Sequence, residues 1–321
     1  MKNNTELRIL ITGAFGYLGG RISSFFSSIS EYEITLASSR VVKIPHPSRN
    51  LKVIRINWND KQSIQNACKN IDVIIHTLGM NAQDCILNPE EALKVNGMFS
   101  EKLVESAILN NVKKVIYFST AHVYDNPLKG ILTEAIIPKN NHPYSTSNLA
   151  GEKVIIQAHS SGKVQGIVLR LSNCIGAPTS KKTNCWMLLV NDLCKQIIEN
   201  HKMKINSNCH QLRNFISIND VCGIVKLFTE LNFRRNENTI FNVGNKTISI
   251  INMAEIIQKR CRVILGFLPE LETNRQNSTQ VENFEFKIDK LKSIGFNTFT
   301  SYEREIDDLL IFCKNNFQFE Q

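Results

Sequence analysis

The sequence has no long apolar run. Its longest stretches, such as "DVIIHTLG" at 72–79, fall far short of the roughly 20 residues a membrane-spanning helix needs. No helical membrane protein is expected. The opening "MKNNTELRILITGAFG" contains no apolar segment followed by small residues of the signal-peptide kind, so the expectation is a cytoplasmic protein. Nine cysteines are present, at 68, 85, 174, 185, 194, 209, 222, 261 and 313. No C-x-x-C occurs, and no histidine stands at metal-ligand spacing from a cysteine. That pattern excludes a disulfide scaffold and a zinc module, and buried thiols in a reducing compartment are expected. Long basic runs are also missing, the longest being Lys113-Lys114, Lys181-Lys182 and Arg234-Arg235. With no basic tail and no aromatic-and-basic strand, the net charge of +9 does not indicate nucleic acid. It suits ligands that carry pyrophosphates, or a solvated surface. No linker, repeat or low-complexity segment divides the 321 residues, enough chain for a sizeable core.

What is present is an alternation of strands and helices. "LRILIT" at 7–12 reads as a buried strand, and "RISSFFSS" at 21–28 begins with apolar residues at helical spacing. Between them lies "GAFGYLGG", with Gly13, Gly16 and Gly19 three apart. Glycines in that place allow a tight turn and close backbone approach, and the helix start offers free N–H groups to a pyrophosphate. A dinucleotide site is therefore expected.

The alternation continues through strands at "YEITLASS", "NLKVIRIN", "IDVIIHTLG" and "VKKVIYFST". Helices are expected at "KQSIQNACKN" and, as one long helix, at "NPEEALKVNGMFSEKLVESAILNN". Near-continuous apolar strands between helices imply a doubly wound parallel sheet, an α/β Rossmann-like domain. The second strand ends in Ser38, Ser39 and Arg40 with no carboxylate nearby. An acidic residue there would take the ribose hydroxyls of NAD, whereas an arginine pairs with a 2′-phosphate. The reading leans to NADP with NAD possible, and Arg40 as a solvated loop residue stays open.

Further along come "NPEEALKVNG", "VIYFSTAHVY", "HPYSTSNLAGE", "VLRLSNCIGAP", "RNFISINDV" and "FNVGN". Together with "GAFGYLG" and "DVIIHTLG" they resemble, in order and over nearly the whole chain, the extended short-chain dehydrogenase/reductase family. The resemblance is to its nucleotide-sugar epimerase/dehydratase branch, with UDP-galactose 4-epimerase-like and 4-ketosugar reductase-like proteins.

That resemblance implies roles. Thr120 would hydrogen-bond the oxygen of the reacting sugar carbon, and Tyr144 would exchange its proton. Gly13, Phe15, Gly16, Tyr17, Leu18 and Gly19 would hold the cofactor pyrophosphate, with Leu78 and Asn96 also on the cofactor side. Asn173 would contact the substrate diphosphate and Arg213 pair with it, the guanidinium fork suiting phosphate. Arg275 in "LETNRQN" is a weaker candidate for a second such arginine, and Met80 in the loop "TLGMNAQDC" is a candidate sugar contact. Arg213 as a surface ion-pair partner and Asn173 as a turn-former remain the plain alternatives. The partner implied is a nucleoside-diphosphate sugar, with neither nucleic acid nor membrane, and a homodimer is expected by resemblance. The organisation expected is a cofactor domain over 1–172, with a later helix near 218–232 returning to it. A substrate lobe over 173–321 would lack an independent core. Within that lobe "SKKTNCWMLLVNDLCKQIIEN" reads as a core or subunit-contact helix around Trp186.

Two departures matter. The acidic pair that dehydrating relatives carry after the threonine is replaced here by Ala121 and His122. Sugar dehydration by the usual route is therefore not expected. His122 is either an acid–base group or a structural residue. Four places after Tyr144 the family has a lysine, and this chain has Asn148. Positions 144 and 148 share a helix face, so the amide replaces the cation. It can keep a ribose hydrogen bond but supplies no charge, so the Tyr144 phenol is expected near its free value of about 10. Lys153 falls on the opposite face and does not substitute. A protonated phenol suits ketone reduction better than hydroxyl oxidation. The functional expectation is an NAD(P)-dependent epimerase or reductase inclined to ketosugar reduction. The alternative is a weakened enzyme kept for binding.

Overall fold

The structure is a computed structural model that describes residues 7–40, 50–273, 283–297 and 300–317. The chain divides into two compact units. The first takes the described residues up to Asp125 with Ile137–Arg170 and Ile224–Phe241. The second takes Asn126–Ile136, Leu171–Gly223 and the described residues from Asn242 on.

Numbered along the chain, the first unit contains β1 (Leu7–Thr12), α1 (Tyr17–Ser27), β2 (Tyr32–Ser38), β3 (Leu51–Arg55), α2 (Lys61–Cys68) and β4 (Val73–His76). Then come α3 (Ala82–Leu87), α4 (Pro89–Ala92), a π-helical turn (Leu93–Met98), α5 (Phe99–Leu109) and β5 (Lys114–Thr120). It ends with α6 (Pro143–Ser160), most of β7 (Gln165–Leu171), most of α8 (Ile218–Glu230) and the start of β11 (Ile240–Val243). The seven-stranded sheet runs β11-β7-β5-β4-β1-β2-β3, a doubly wound Rossmann-like order. β1 pairs in parallel with both β2 and β4, so the strand order reverses there. At such a switch point two crossover loops part at the carboxyl edge and leave a crevice. The strands are apolar on both faces because helices cover both, and Leu10, Ile74, Val115 and Val168 are fully buried in one cluster.

The expected long helix over 88–111 is interrupted. α4 passes into the π turn before α5 begins, and the loop after β4 contains a short helix, α3. The widened turn has a side-chain cause. The Asn96 carbonyl accepts from Ser100 Oγ at 2.8 Å and from the Tyr117 hydroxyl at 3.3 Å, so side chains serve the backbone that the turn disturbs.

Two buried polar groups fasten the sheet. Lys114 is 3% exposed and donates to the carbonyls of Phe228 (2.8 Å), Thr229 (2.9 Å) and Leu231 (2.5 Å) at the end of α8. A cation there answers the negative end of the helix. His76 is buried between Thr12 Oγ1 (2.6 Å) and Ser100 Oγ (3.1 Å), and burial pushes its imidazole down to about 3. The fold therefore binds the neutral ring. Its stabilisation is complete above the unfolded value of about 6.5 and is lost as pH falls from there toward 3. One proton taken up on unfolding gives a slope of about 1.4 kcal/mol per pH unit over that window. Urea unfolding at pH 6.5 and 4.5 is expected to show a steeper acid loss in wild type than in His76→Asn. Equal losses would mean the imidazole is protonated in place.

The second unit contains β6 (Gly130–Leu132), β8 (Asn173–Ile175), α7 (Leu189–Asn200), β9 (Lys202–Ile205), β10 (Leu212–Ser217), β12 (Lys246–Ser249) and α9 (Ile250–Leu265). It finishes with β13 (Glu270–Thr273), β14 (Phe284–Phe286), α10 (Asp289–Ser293) and α11 (Tyr302–Phe317). Three small sheets, β12-β10-β8, β13-β9 and β14-β6, accompany the helices. The unit has its own apolar cluster around Leu193, Ile197, Phe215, Ile257 and Leu309. The helix expected around Trp186 starts only at Leu189, and the indole instead donates to the Lys181 carbonyl at 3.0 Å. Among the described residues no helix is long and apolar enough to cross a membrane, and no group of acidic, histidine and cysteine side chains is placed to hold a metal.

Candidate active site

The glycine turn forms a cradle. Gly13 has φ +69°, and a Cβ on it would lie 2.7 Å from the Leu78 amide nitrogen. A Cβ on Gly19 would lie 2.1 Å from the Gly13 carbonyl oxygen and 2.5 Å from Thr77 Oγ1. The first position needs glycine for its conformation and the second for its closeness. Gly16 caps α1 without a side-chain hydrogen bond, and no acidic residue stands in the first turn of the helix. Its first N–H groups and positive end are therefore directed at the mouth of the turn, and a pyrophosphate fits that donor set. Phe15 is exposed, while Tyr17 and Leu18 are partly buried in the opening turn of the helix.

Leu78 and Met80 form the facing loop, and Asn96 holds it. The Asn96 Oδ1 accepts from the Met80 amide at 2.9 Å, and its Nδ2 donates to Ser147 Oγ at 2.9 Å. Asn96 is almost wholly buried. Its amide thus ties the loop after β4 to α6. Arg40 lies exposed just past β2, its backbone N–H bonded to Ser38 Oγ at 3.0 Å.

The reacting end is assembled from β5 and α6. Thr120 ends β5, and its Oγ1 accepts from the His122 amide at 3.1 Å. α6 starts with Pro143 in its first turn and His142 as cap, the imidazole accepting from the Tyr144 amide at 3.1 Å. The His122 carbonyl receives Ser145 Oγ (2.8 Å) and Asn140 Nδ2 (2.7 Å), which clamps the turn after β5 onto the helix start. This brings Thr120 beside the Tyr144 phenol, where its side chain favours the ionised form. Burial raises the phenol above its ordinary value, and Thr120 only partly offsets this. The expectation of a near-free phenol is corrected upward: without a cation, desolvation decides.

Asn148 is turned back on its own helix. Its Nδ2 donates to the Tyr144 carbonyl at 2.7 Å, and its Oδ1 accepts from the Tyr117 hydroxyl at 3.3 Å. Tyr117 is itself fully buried, with its phenol pushed well up by that burial. One amide donor is thus spent locally, and the position is sealed by a second neutral group. Lys153 is exposed.

Glu152 and Arg170 were not singled out from the sequence. They form a bidentate pair at 3.0 and 2.7 Å, each at most 3% exposed. Ser119, next to Thr120, donates to the same carboxylate at 2.5 Å. Burial lowers the Arg170 guanidinium, but the bond with Glu152 more than offsets this and leaves it raised. The pair locks α6 to β5 and β7. The available signal was a carboxylate one turn after Asn148, on the same helix face.

In the second unit, Asn173 Nδ2 donates to the Asn214 carbonyl at 2.9 Å across β8 and β10. Arg213 on β10 is partly buried, and its guanidinium meets the Gln211 side-chain oxygen at 3.4 Å. No carboxylate faces it among the described residues, and burial lowers its proton affinity. Arg275 lies outside the described residues.

A family model described as the NAD dependent epimerase/dehydratase family matches residues 9–244. Among curated relatives, the chain is 21% identical over 269 residues to a dTDP-glucose 4,6-dehydratase of Streptomyces niveus, covering 79% of this chain and 78% of that protein. It is 25% identical over 252 residues to a GDP-6-deoxy-D-talose 4-dehydrogenase of Aggregatibacter actinomycetemcomitans, covering 77% and 79%. Its fold is similar to a UDP-N-acetylglucosamine 4-epimerase from Methanobrevibacter ruminantium M1, in complex with UDP-N-acetylmuramic acid, with TM-score 0.81, 20% identity and coverage of 96% and 98%. It is also similar to a UDP-glucuronic acid 4-epimerase from Bacillus cereus, in complex with UDP-glucuronic acid and NAD, with TM-score 0.79, 19% identity and coverage of 97% and 100%.

Proposed function

The chain belongs to the NAD dependent epimerase/dehydratase family, and from that membership we propose that it reduces a keto group on a nucleoside-diphosphate sugar. The observation that carries this reading is the Tyr144 phenol at the start of α6, beside Thr120 at the end of β5 and raised by burial. A raised phenol is protonated at neutral pH, and a proton is what a carbonyl oxygen needs as it becomes a hydroxyl. When bound, the nicotinamide cofactor supplies the hydride. Thr120 orients the substrate oxygen and Tyr144 gives its proton to that oxygen. Dehydration is not part of the reading, because Ala121 and His122 stand where a carboxylate pair would be needed.

For the cofactor we favour NADP, on Ser38, Ser39 and Arg40 at the end of β2. For the substrate, Arg213 is the diphosphate contact, since a desolvated guanidinium facing no described carboxylate gains most from an anion. Asn173 accompanies it by resemblance. The alternative, binding of both ligands without turnover, draws its support from Asn148, whose amide is engaged with Tyr144 and Tyr117.

A panel of 4-keto and 4-hydroxy nucleotide sugars, assayed with NADPH and NADH and in reverse with NADP and NAD, separates the two. Turnover of a ketosugar at neutral pH supports the reductase reading. Tight binding of cofactor and nucleotide sugar with no turnover would replace it with the alternative.

A further inference from the structure

We propose that Arg55, together with Ser39, selects a 2′-phosphorylated cofactor, an inference that rests on the NADP reading above. A cavity of about 400 Å³ opens in the first unit and is lined in part by Ser39, Arg55, Leu78, Glu91 and Lys94. It lies beside the carboxyl ends of β2 and β3, where a dinucleotide's adenosine end meets a doubly wound sheet. Ser38 on β2 and Arg55 on β3 are register partners in a parallel pair. Arg55 is the last residue of its strand, and it lines the cavity together with Ser39.

The charges around it single this residue out. Glu91 is the carboxylate in the lining, and Lys94 answers it at 3.1 Å. Asp60, further along, spends its carboxylate capping α2 through the Gln62 amide at 3.0 Å. The Arg55 guanidinium, by contrast, makes no hydrogen bond or ion pair with any described residue. An exposed arginine beside a hydroxyl, at a strand end without a carboxylate, has the donors that a phosphomonoester dianion takes. The ribose hydroxyl pair of NAD offers Arg55 no charge to meet. Arg40 was legible as a candidate because it follows β2 in sequence. Arg55 lies fifteen residues later and joins the same edge only through strand pairing.

The test measures dissociation constants by calorimetry for NADPH, NADH, adenosine 2′,5′-bisphosphate and AMP, on wild type, Arg55→Met and Arg40→Met. The expected result is a loss of about 10- to 100-fold for NADPH and the bisphosphate in Arg55→Met, the range for one charge-assisted contact. NADH and AMP should stay within about twofold, because the methionine keeps the apolar stem and the side chain is exposed. If wild type prefers NADPH and Arg55→Met keeps that preference, the assignment to Arg55 is overturned while the NADP reading stands. If wild type binds NADH more tightly, both fall. Equal weakening of all four ligands would place Arg55 in general adenosine binding and also overturn the proposal.

Discussion

Tyr144→Phe is expected to lower ketosugar turnover by about 10²- to 10⁴-fold, the usual contribution of a positioned proton donor. The substitution removes one hydroxyl and leaves the ring. Its cost to folding is then at most that of one hydrogen bond, about 1 kcal/mol, and the NADPH dissociation constant should change little. The informative comparison is with His122→Gln. If the phenol is the donor, the histidine variant stays within about tenfold of wild type, since the backbone of His122, through its amide and carbonyl, makes the clamping bonds. Loss in His122→Gln with an intact Tyr144→Phe would move the proton to the imidazole and sink the assignment.

The second large effect is a change in pH dependence. In Asn148→Lys a cation enters beside the Tyr144 phenol, and an opposite charge within about 4–6 Å lowers such a group by about 1–3 pH units. The equilibrium constant fixes the ratio of the two second-order rate constants, so a one-directional gain at a single pH is not the signature to seek. The profile is. Oxidation of a hydroxyl sugar requires the phenolate, so its kcat/KM rises with pH until the phenol has titrated. In wild type, with the phenol raised by burial, that rise continues beyond pH 10. In Asn148→Lys the plateau should arrive about 1–3 units earlier. Reduction should be level at neutral pH in both and fall at the same titration. An unshifted profile would mean the lysine turns away from Tyr144, as Asn148 itself does toward Tyr117 and its own helix. The variant must also displace the Tyr117 contact, so some loss of stability is expected beside the shift.

Much of this molecule was open to reading from residue order alone, and the reason is local. A strand, three glycines at fixed spacing and a helix start are consecutive, so the cradle formed by Gly13, Gly16 and Gly19 follows from backbone conformation within a few residues. The same holds for α6, where helix geometry alone puts Tyr144 and Asn148 on one face, and for the doubly wound sheet, whose apolar strands announce two covered sides. The missing lysine is likewise a fact of sequence.

The tertiary structure decided what those residues meet. Nothing in the string tells that Tyr117, thirty-one residues earlier, places its hydroxyl on Asn148, or that burial lifts the Tyr144 phenol instead of leaving it near its free value. The break in the expected long helix depends on Ser100 and Tyr117 serving the Asn96 carbonyl, and only Tyr117 comes from outside that stretch of sequence. Glu152 meets Arg170 and Ser119, and Ser38 meets Arg55, because strands and helices distant in sequence are packed or paired side by side. Periodicity reports which face of an element is buried, since that depends on neighbours three or four residues away. Desolvation and ion pairing depend on distances between elements, which only the packed fold sets.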